Sequence, residues 1–289
     1  MPTGFRMAVS DQETQSFANL PWWDLLQDEE LRRLIRIALA ENKDLQRAVA
    51  SVEEFQSRLL ISKMDFAPKA DVTANAPSFG RKANFLFPGF PNPFNYYLQG
   101  NLSWELDIWG RVRRSNEAAR GDLLAREEAR RAVVLQLVSG VAEAYFELLQ
   151  FDMQLGVAQR TLKSWEESVR IAEARLRQGM ISRIDADQFE AERANAAARA
   201  AELTRQMVQK ENQLSILLGR PPGQVARGRS LTEQVLPPEV PAGLPSELLQ
   251  RRPDLVQAEQ ELAAATARIG VAKADRFPKL SITGILGVA

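Results

Sequence analysis

Polar and apolar residues alternate along two short stretches and recur at helical spacing nearly everywhere else. In "YYLQGNLSWEL", Leu98, Gly100, Leu102, Trp104 and Leu106 fall on one side. Tyr97, Gln99, Asn101, Ser103 and Glu105 fall on the other. A period of two is the mark of a β-strand. "KADVTANA" repeats it, with Ala70, Val72, Ala74 and Ala76 opposed to Asp71, Thr73 and Asn75. Strands are therefore predicted over 69–77 and 96–107. Between them, residues 77–95 hold four prolines together with Phe85, Phe87, Phe90 and Phe94, which predicts a long aromatic loop.

The rest reads as helix. Leu31, Leu34, Ile35 and Ala38 share a face of a helix predicted over 28–41, with Asn42 as its stop. Asp44 can cap a second helix over 45–66, ended by Pro68. No proline occurs between Pro93 and Pro221, and one helix is predicted across 110–177. At 1.5 Å per residue it would be about 100 Å long. Its apolar positions step by four and three, from Val134, Val138, Val141, Tyr145 and Leu148 to Trp165, Val169, Ala172 and Leu176. Polar Asp152 interrupts this coiled-coil-like seam. Gly179 offers a C-terminal stop, and Ser182 with Asp185 starts a helix over 182–218. There Ala191, Ala194, Ala198 and Ala201 form a row suited to close helix packing. A connector rich in proline and glycine follows over 220–243.

After the connector the chain restarts as a copy of itself. Shifted by 210, residues 44–73 align with 254–283 without a gap, sharing nine identities in thirty positions. These include Asp44/Asp254, Arg58/Arg268, Asp65/Asp275, Pro68/Pro278 and Lys69/Lys279. The division that follows is a first repeat over 1–243 and the start of a second over 244–289, with a helix, Pro278 and a partial strand over 279–289.

Composition narrows the chemistry. The 37 basic residues balance 37 acidic ones, so nothing favours nucleic acid as a partner. The 289 residues include no cysteine and no histidine. Thiol chemistry, disulfides, thiolate or imidazole metal sites and Ser-His-Asp catalysis are thereby excluded. No enzyme, cofactor or metal is expected. No run of about 20 apolar residues predicts a membrane helix. No leader opens the chain, which is expected to be a piece of a longer protein that stops within a strand. The two-sided strands then have two readings. Their apolar row covers a soluble core, or it faces lipid in a barrel whose polar row faces water.

The stretches "SWELDIWGRVRRSNEAA", "RLRQGMISRIDADQ", "LLGRPPG" and "LPSELLQRRPDLVQAEQELAAATARIGVAKADRFPKLSITG" resemble the TolC-type outer membrane efflux factors, in their OprM/NodT-like lipoprotein branch. The likeness runs from about Trp22 onward. It implies a mainly α fold with membrane β-strands. Three subunits would each give four strands to a 12-stranded outer membrane barrel, above a periplasmic tunnel of coiled-coil helices. The implied partners are two further copies in a homotrimer, a periplasmic adaptor (membrane fusion) protein, an inner membrane RND-type transporter and outer membrane lipid. The implied role is a passive exit duct, lipid-anchored in the outer membrane and extending into the periplasm. Carried onto this chain, Gly179, Met180, Ile181, Ser182 and Asp185 form an adaptor-contact tip, though Asp185 also reads as a plain helix-start carboxylate. Leu98, Leu102, Trp104 and Leu106 face lipid, while Gln99, Asn101, Ser103 and Glu105 face the lumen. The aspartate ring that closes such channels would lie past residue 289, and the lipidated cysteine is not among these residues. A periplasmic adaptor and a soluble coiled-coil interaction protein are the rival readings.

Overall fold

The computed structural model describes residues 27–75, 97–234, 249 and 251–288. The aromatic loop with Phe85, Phe87, Phe90 and Phe94, and the connector past residue 234, lie outside them. In chain order the elements are α1 (Glu29–Glu41), α2 (Lys43–Met64), β1 (Lys69–Asn75), β2 (Tyr97–Glu105), α3 (Arg111–Arg177) and α4 (Arg183–Leu217). A single 3-10 turn (Leu231–Glu233), α5 (Pro253–Ala274) and β3 (Ser281–Val288) follow. They fall into two compact units, each built from separated pieces of chain. One comprises Met1–Arg47 and Arg131–Arg251, the other Ala48–Arg130 and Arg252–Ala289.

The first unit is held by a helical core. Leu31, Leu34, Ile35 and Ala38 of α1 are buried with Leu137, Val141, Tyr145 and Leu148 of α3 and with Leu214 of α4. Burying each such leucine is worth about 1.5–3 kcal/mol. By composition, α3 is the one helix among the described residues long and apolar enough to cross a membrane. These contacts show where part of its apolar surface goes. Farther along, Ala158 of α3 meets Ala200 and Leu203 of α4. The alanine row of α4 is a correction. Ala191, Ala194, Ala198 and Ala201 are exposed, because the buried face of that helix is set by Ala186, Ala200, Leu203 and Leu214.

Asn42 does more than stop α1. Its carbonyl accepts the Gln46 N–H at 3.1 Å and its side chain accepts the Leu45 N–H at 2.9 Å. It also donates to the Leu217 carbonyl at 2.9 Å, tying the α1–α2 corner to the end of α4. Asn42 therefore caps α2 in place of Asp44, which pairs with Arg47 at 2.9 Å inside the helix, and α2 begins two residues before the sequence suggested. At the same corner Gly219 has φ +71°, and a Cβ there would lie 2.2 Å from the Glu41 carbonyl oxygen.

The second unit contains the sheet. Its order is β1-β2-β3, antiparallel throughout, with Val72 opposite Gly100 and Leu102 opposite Gly284. β2 stops at Glu105, short of the 107 expected, because Asp107 is used elsewhere. Its carboxylate accepts the Val112 and Arg113 N–H groups at 2.8 and 3.0 Å, capping the first turn of α3. Gly110, with φ +80°, lies just outside that helix. α3 and α5 approach closely in this unit: a Cβ on Gly121 would stand 3.0 Å from that of Ala264.

Gly179 also has φ +71°, with nothing within 4 Å of an added Cβ. Gly179→Ala should cost about 1–2 kcal/mol from backbone strain alone. Gly219→Ala should add about 1–3 kcal/mol of overpacking. Chemical denaturation is expected to show a loss larger by at least about 1 kcal/mol for Gly219→Ala than for Gly179→Ala; equal losses would contradict the tight corner.

Candidate channel surfaces

The sheet separates its two chemistries except at Ile285, which stands opposite Asn101 among the polar residues. On one face Asp71 stands opposite Asn101, Thr73 opposite Gln99, Lys69 opposite Ser103, and Ser103 opposite Thr283. Asn101 donates to the Asp71 carboxylate at 2.8 Å, and Gln99 donates to Asn101. Glu105 receives a two-pronged contact from Arg111 at 2.7 and 2.6 Å. The other face carries Val72, Leu98, Leu102, Trp104, Ile282 and Leu286. Val72 is 74% exposed and Leu286 85%, so the described residues leave much of this apolar face open. The register thus gathers Leu98, Leu102 and Trp104 on one face and Gln99, Asn101, Ser103 and Glu105 on the other. Leu106 lies just past β2, with its N–H on the Leu280 carbonyl at 2.8 Å.

Two indoles mark the helix-side end of the sheet. Trp104 donates to the Phe66 carbonyl at 3.1 Å and Trp109 to the Pro278 carbonyl at 2.9 Å. Trp109 also stacks on Phe277, with ring centres 4.6 Å apart. Each of the two links from helix to strand, at Phe66 and at Pro278, is therefore pinned by one tryptophan.

At the turn between α3 and α4, the Gly179 and Met180 N–H groups close back onto the Leu176 and Arg175 carbonyls, both at 2.9 Å. This glycine-ended arrangement satisfies the last helix carbonyls. Ser182 then caps α4. Its hydroxyl accepts the Asp185 N–H at 3.2 Å while Asp185 accepts the Ser182 N–H at 3.0 Å and hydroxyl at 2.8 Å. Those Ser182 contacts hold the Asp185 carboxyl below its usual range. Met180 is 69% exposed and Ile184 79%, while Ile181 is half-buried. Sequence reasoning passed over Ile184, although its place two residues past a cap, out of the seam, was the available signal.

It also missed a polar staple in the first unit. Asp28 is buried and accepts five donors: the N–H groups of Glu30, Leu31 and Arg229, the Tyr145 hydroxyl at 3.0 Å and the Gln234 amide at 2.7 Å. The Tyr145 hydroxyl in turn accepts the Gly228 N–H at 2.9 Å. Next to it Arg227 bridges Asp152 at 2.9 Å and Glu211 at 2.5 Å. Asp152, the polar break in the α3 seam, is thus the anchor for the strap of residues 225–234.

Comparison with known proteins settles the family. The model of the outer membrane efflux protein family matches residues 34–220 and 244–288. This chain belongs to the outer membrane efflux protein family. A relative from Pseudomonas putida, named "Probable efflux pump outer membrane protein TtgC", is 32% identical over 99% of this chain and 60% of its own length. The "Probable outer membrane lipoprotein SilC" of Salmonella typhimurium is 32% identical over 93% of this chain and 57% of its own. In structure, the open state of the MtrE outer membrane channel of Neisseria gonorrhoeae matches with a TM-score of 0.78 and 32% identity, over 98% of this chain and 62% of that one. The chain thus spans about 60% of the length of the curated relatives it matches. Its mainly helical architecture with few strands is that of TolC-like outer membrane channels.

The staple makes a pH prediction. Burial alone would raise the Asp28 carboxyl, but hydrogen bonds from Gln234, Leu31, Tyr145 and Arg229 outweigh it and hold the group below its usual value. Burial, joined by the Asp28 charge, pushes the Tyr145 phenol up to about 12. A depressed acid stabilises the fold above its unfolded pKa of about 4 and loses that effect as pH falls through the folded value. A raised phenol stabilises the fold below about 10 and loses that effect on the way to 12. Tyr145→Phe should cost about 1–3 kcal/mol at neutral pH, removing a donor from the buried Asp28 carboxylate and the acceptor of the Gly228 N–H. In thermal melts across pH, the variant should also lose much of the alkaline fall; an unchanged alkaline limb would count against the staple.

Proposed function

We propose that this protein is a subunit of an outer membrane exit duct, a passive channel for small molecules in a tripartite efflux pump. The observation that carries this reading is the sheet, whose apolar face the described residues leave open and whose other face is mostly polar. An open sheet of three strands is not viable in lipid until its edges are paired. Strands from further repeats and further copies would close it, with Leu98, Leu102, Trp104 and Leu106 toward lipid and Gln99, Asn101, Ser103 and Glu105 toward the lumen. Trp104 and Trp109 would then sit at the periplasmic rim, where barrels carry aromatic girdles.

The internal repeat supports closure by copies. α2 and α5 are each 22 residues long and stand 210 residues apart at both ends. We read 1–243 as one repeat and 244–289 as the start of the next. By family, the assembly is a homotrimer. It is lipid-anchored in the outer membrane, reaches into the periplasm and is served by an adaptor and an inner membrane RND-type transporter. The turn at Gly179, Met180, Ile181, Ser182 and Asp185 would meet the adaptor, with Met180 and Ile184 as the apolar contacts. A channel works by width and charge, and the reading asks for no catalytic group.

The absence of cysteine from these 289 residues makes a scan direct. Single cysteines at 98–105 in cells should alternate. A charged thiol reagent is expected to label positions 99, 101, 103 and 105 and spare 98, 102 and 104; uniform labelling would sink the lipid-facing assignment. At the turn, Met180→Asp should leave the melting temperature within about 2 °C, being a surface change. Efflux in a strain relying on this channel should nonetheless fall at least tenfold. Full efflux by that variant would remove Met180 from the adaptor contact.

A further inference from the structure

The helix-side end of the sheet is basic in a chain that is neutral as a whole. Residues 61–69, 104–113 and 273–280, the three links between helix and strand, hold seven lysines and arginines against four acids. The acids are engaged on the polar side. Asp107 holds Arg113, Glu105 holds Arg111, and Asp65 holds Lys69 at 2.8 Å. Asp275 lies within electrostatic reach of Arg111, as Lys279 does of Glu105. That leaves Lys63, Lys273 and Arg276. All three are exposed, and none has an ion-pair partner among the described residues. Lys63 and Lys273 stand 210 residues apart, each in the last turn of its helix.

Beside these cations the apolar surface continues past the ends of the strands. Phe66, Trp104, Trp109, Phe277 and Leu280 are all exposed. The two indoles spend their N–H groups on the Phe66 and Pro278 carbonyls, so their rings are held in place without being buried. Trp109 stacked on Phe277 makes a fixed shelf of two rings. Arg276 directly precedes Phe277. Arg113 follows Trp109 by one turn, and its guanidinium stands 3.4 Å from where a Cβ on Gly110 would lie. Its side chain stays 66% exposed while it holds Asp107. Rings at the edge of an apolar sheet, with cations on the helix side of them, match the two parts of a phospholipid. The rings suit the acyl and glycerol region, and the cations suit the phosphate.

We propose that the helix-side end of the sheet selects anionic phospholipid, with Arg276, Lys273 and Arg113 taking the phosphodiester of a phosphatidylglycerol headgroup beside the Trp109–Phe277 stack. This rests on the reading of the sheet as membrane strands and adds a lipid class to it. A zwitterionic headgroup brings its own ammonium, which competes with the protein cations for the phosphate. An anionic headgroup brings none, so the surplus positive charge favours it. A free phosphate ion would leave the two rings bare. Lys63, beside Phe66 and Trp104, repeats the arrangement in the other helix-to-strand link.

The test uses the full-length protein in nanodiscs of mixed phosphatidylethanolamine and phosphatidylglycerol, with the lipids it retains counted by native mass spectrometry. Phosphatidylglycerol is expected to be enriched at least about fivefold over its share of the bilayer. The double variant Lys273→Gln, Arg276→Gln should bring the retained lipid to the bulk ratio. Arg276→Lys, which keeps the charge, should keep the enrichment. So should Lys163→Gln, which removes an exposed cation of the other unit. Inorganic phosphate added at constant ionic strength should not displace the lipid. Retention at the bulk ratio by the unaltered protein overturns the proposal. So does full enrichment in the double variant, an equal loss in Lys163→Gln, or displacement by free phosphate. Should the double variant lose its helix content by circular dichroism, Arg276→Gln alone decides, with a fall of at least about twofold expected and no fall counting against the site. Alternating cysteine labelling of the sheet with unselective lipid retention leaves the channel reading standing and removes only this site. Selective retention with uniform labelling does the reverse.

Discussion

A β-sheet that exposes an apolar face on one side and a mostly polar face on the other asks for a different surrounding on each side. Here that imbalance governs the second unit. Val72 and Leu286 stand open to their surroundings while, across the backbone, Asp71, Asn101 and Gln99 bond to one another. In water, such an apolar row would be a liability for aggregation. In a bilayer it is the surface that makes the strands soluble in their solvent. The chemistry at the end of the sheet fits a boundary: two indole N–H groups hold the helix-to-strand links, and Asp107 starts α3 as soon as β2 has ended.

The first unit solves a different problem, that of fixing a strap to a long helix without sheet or disulfide. Its apolar core is supplemented by two buried carboxylates, Asp28 and Glu211, and one shared guanidinium. Asp28 gathers donors from its own helix start, from α3 and from the strap, and Arg227 links the strap to Asp152 and Glu211. Buried polar groups with one partner missing are costly, so such a network holds together or fails as a whole. The unit owes its arrangement to these contacts as well as to leucine burial.

Much of this was legible locally. Period-two alternation depends only on neighbouring residues, so the faces of β2 could be assigned from "LQGNLSWE" alone. The cap at Ser182 and the glycine at 179 were equally local. What escaped was set by distant partners. Ala191, Ala194, Ala198 and Ala201 form a row in sequence, but α3 meets the side of α4 that carries Ala200 and Leu203. Asn42 was readable as a helix stop, yet its role in joining α1 to the end of α4 needs Leu217, 175 residues away. Asp28 opens the helix expected over 28–41, and only the fold brings Arg229 and Gln234 to it.

The most direct test of the central claim is electron cryo-microscopy of the full-length protein in lipid nanodiscs. The account predicts that β1, β2 and β3 lie within the lipid belt, with Leu102 and Trp104 against acyl density and Asn101 facing a water-filled interior. A map that places this sheet in the aqueous region, with its apolar face packed on protein, would contradict it.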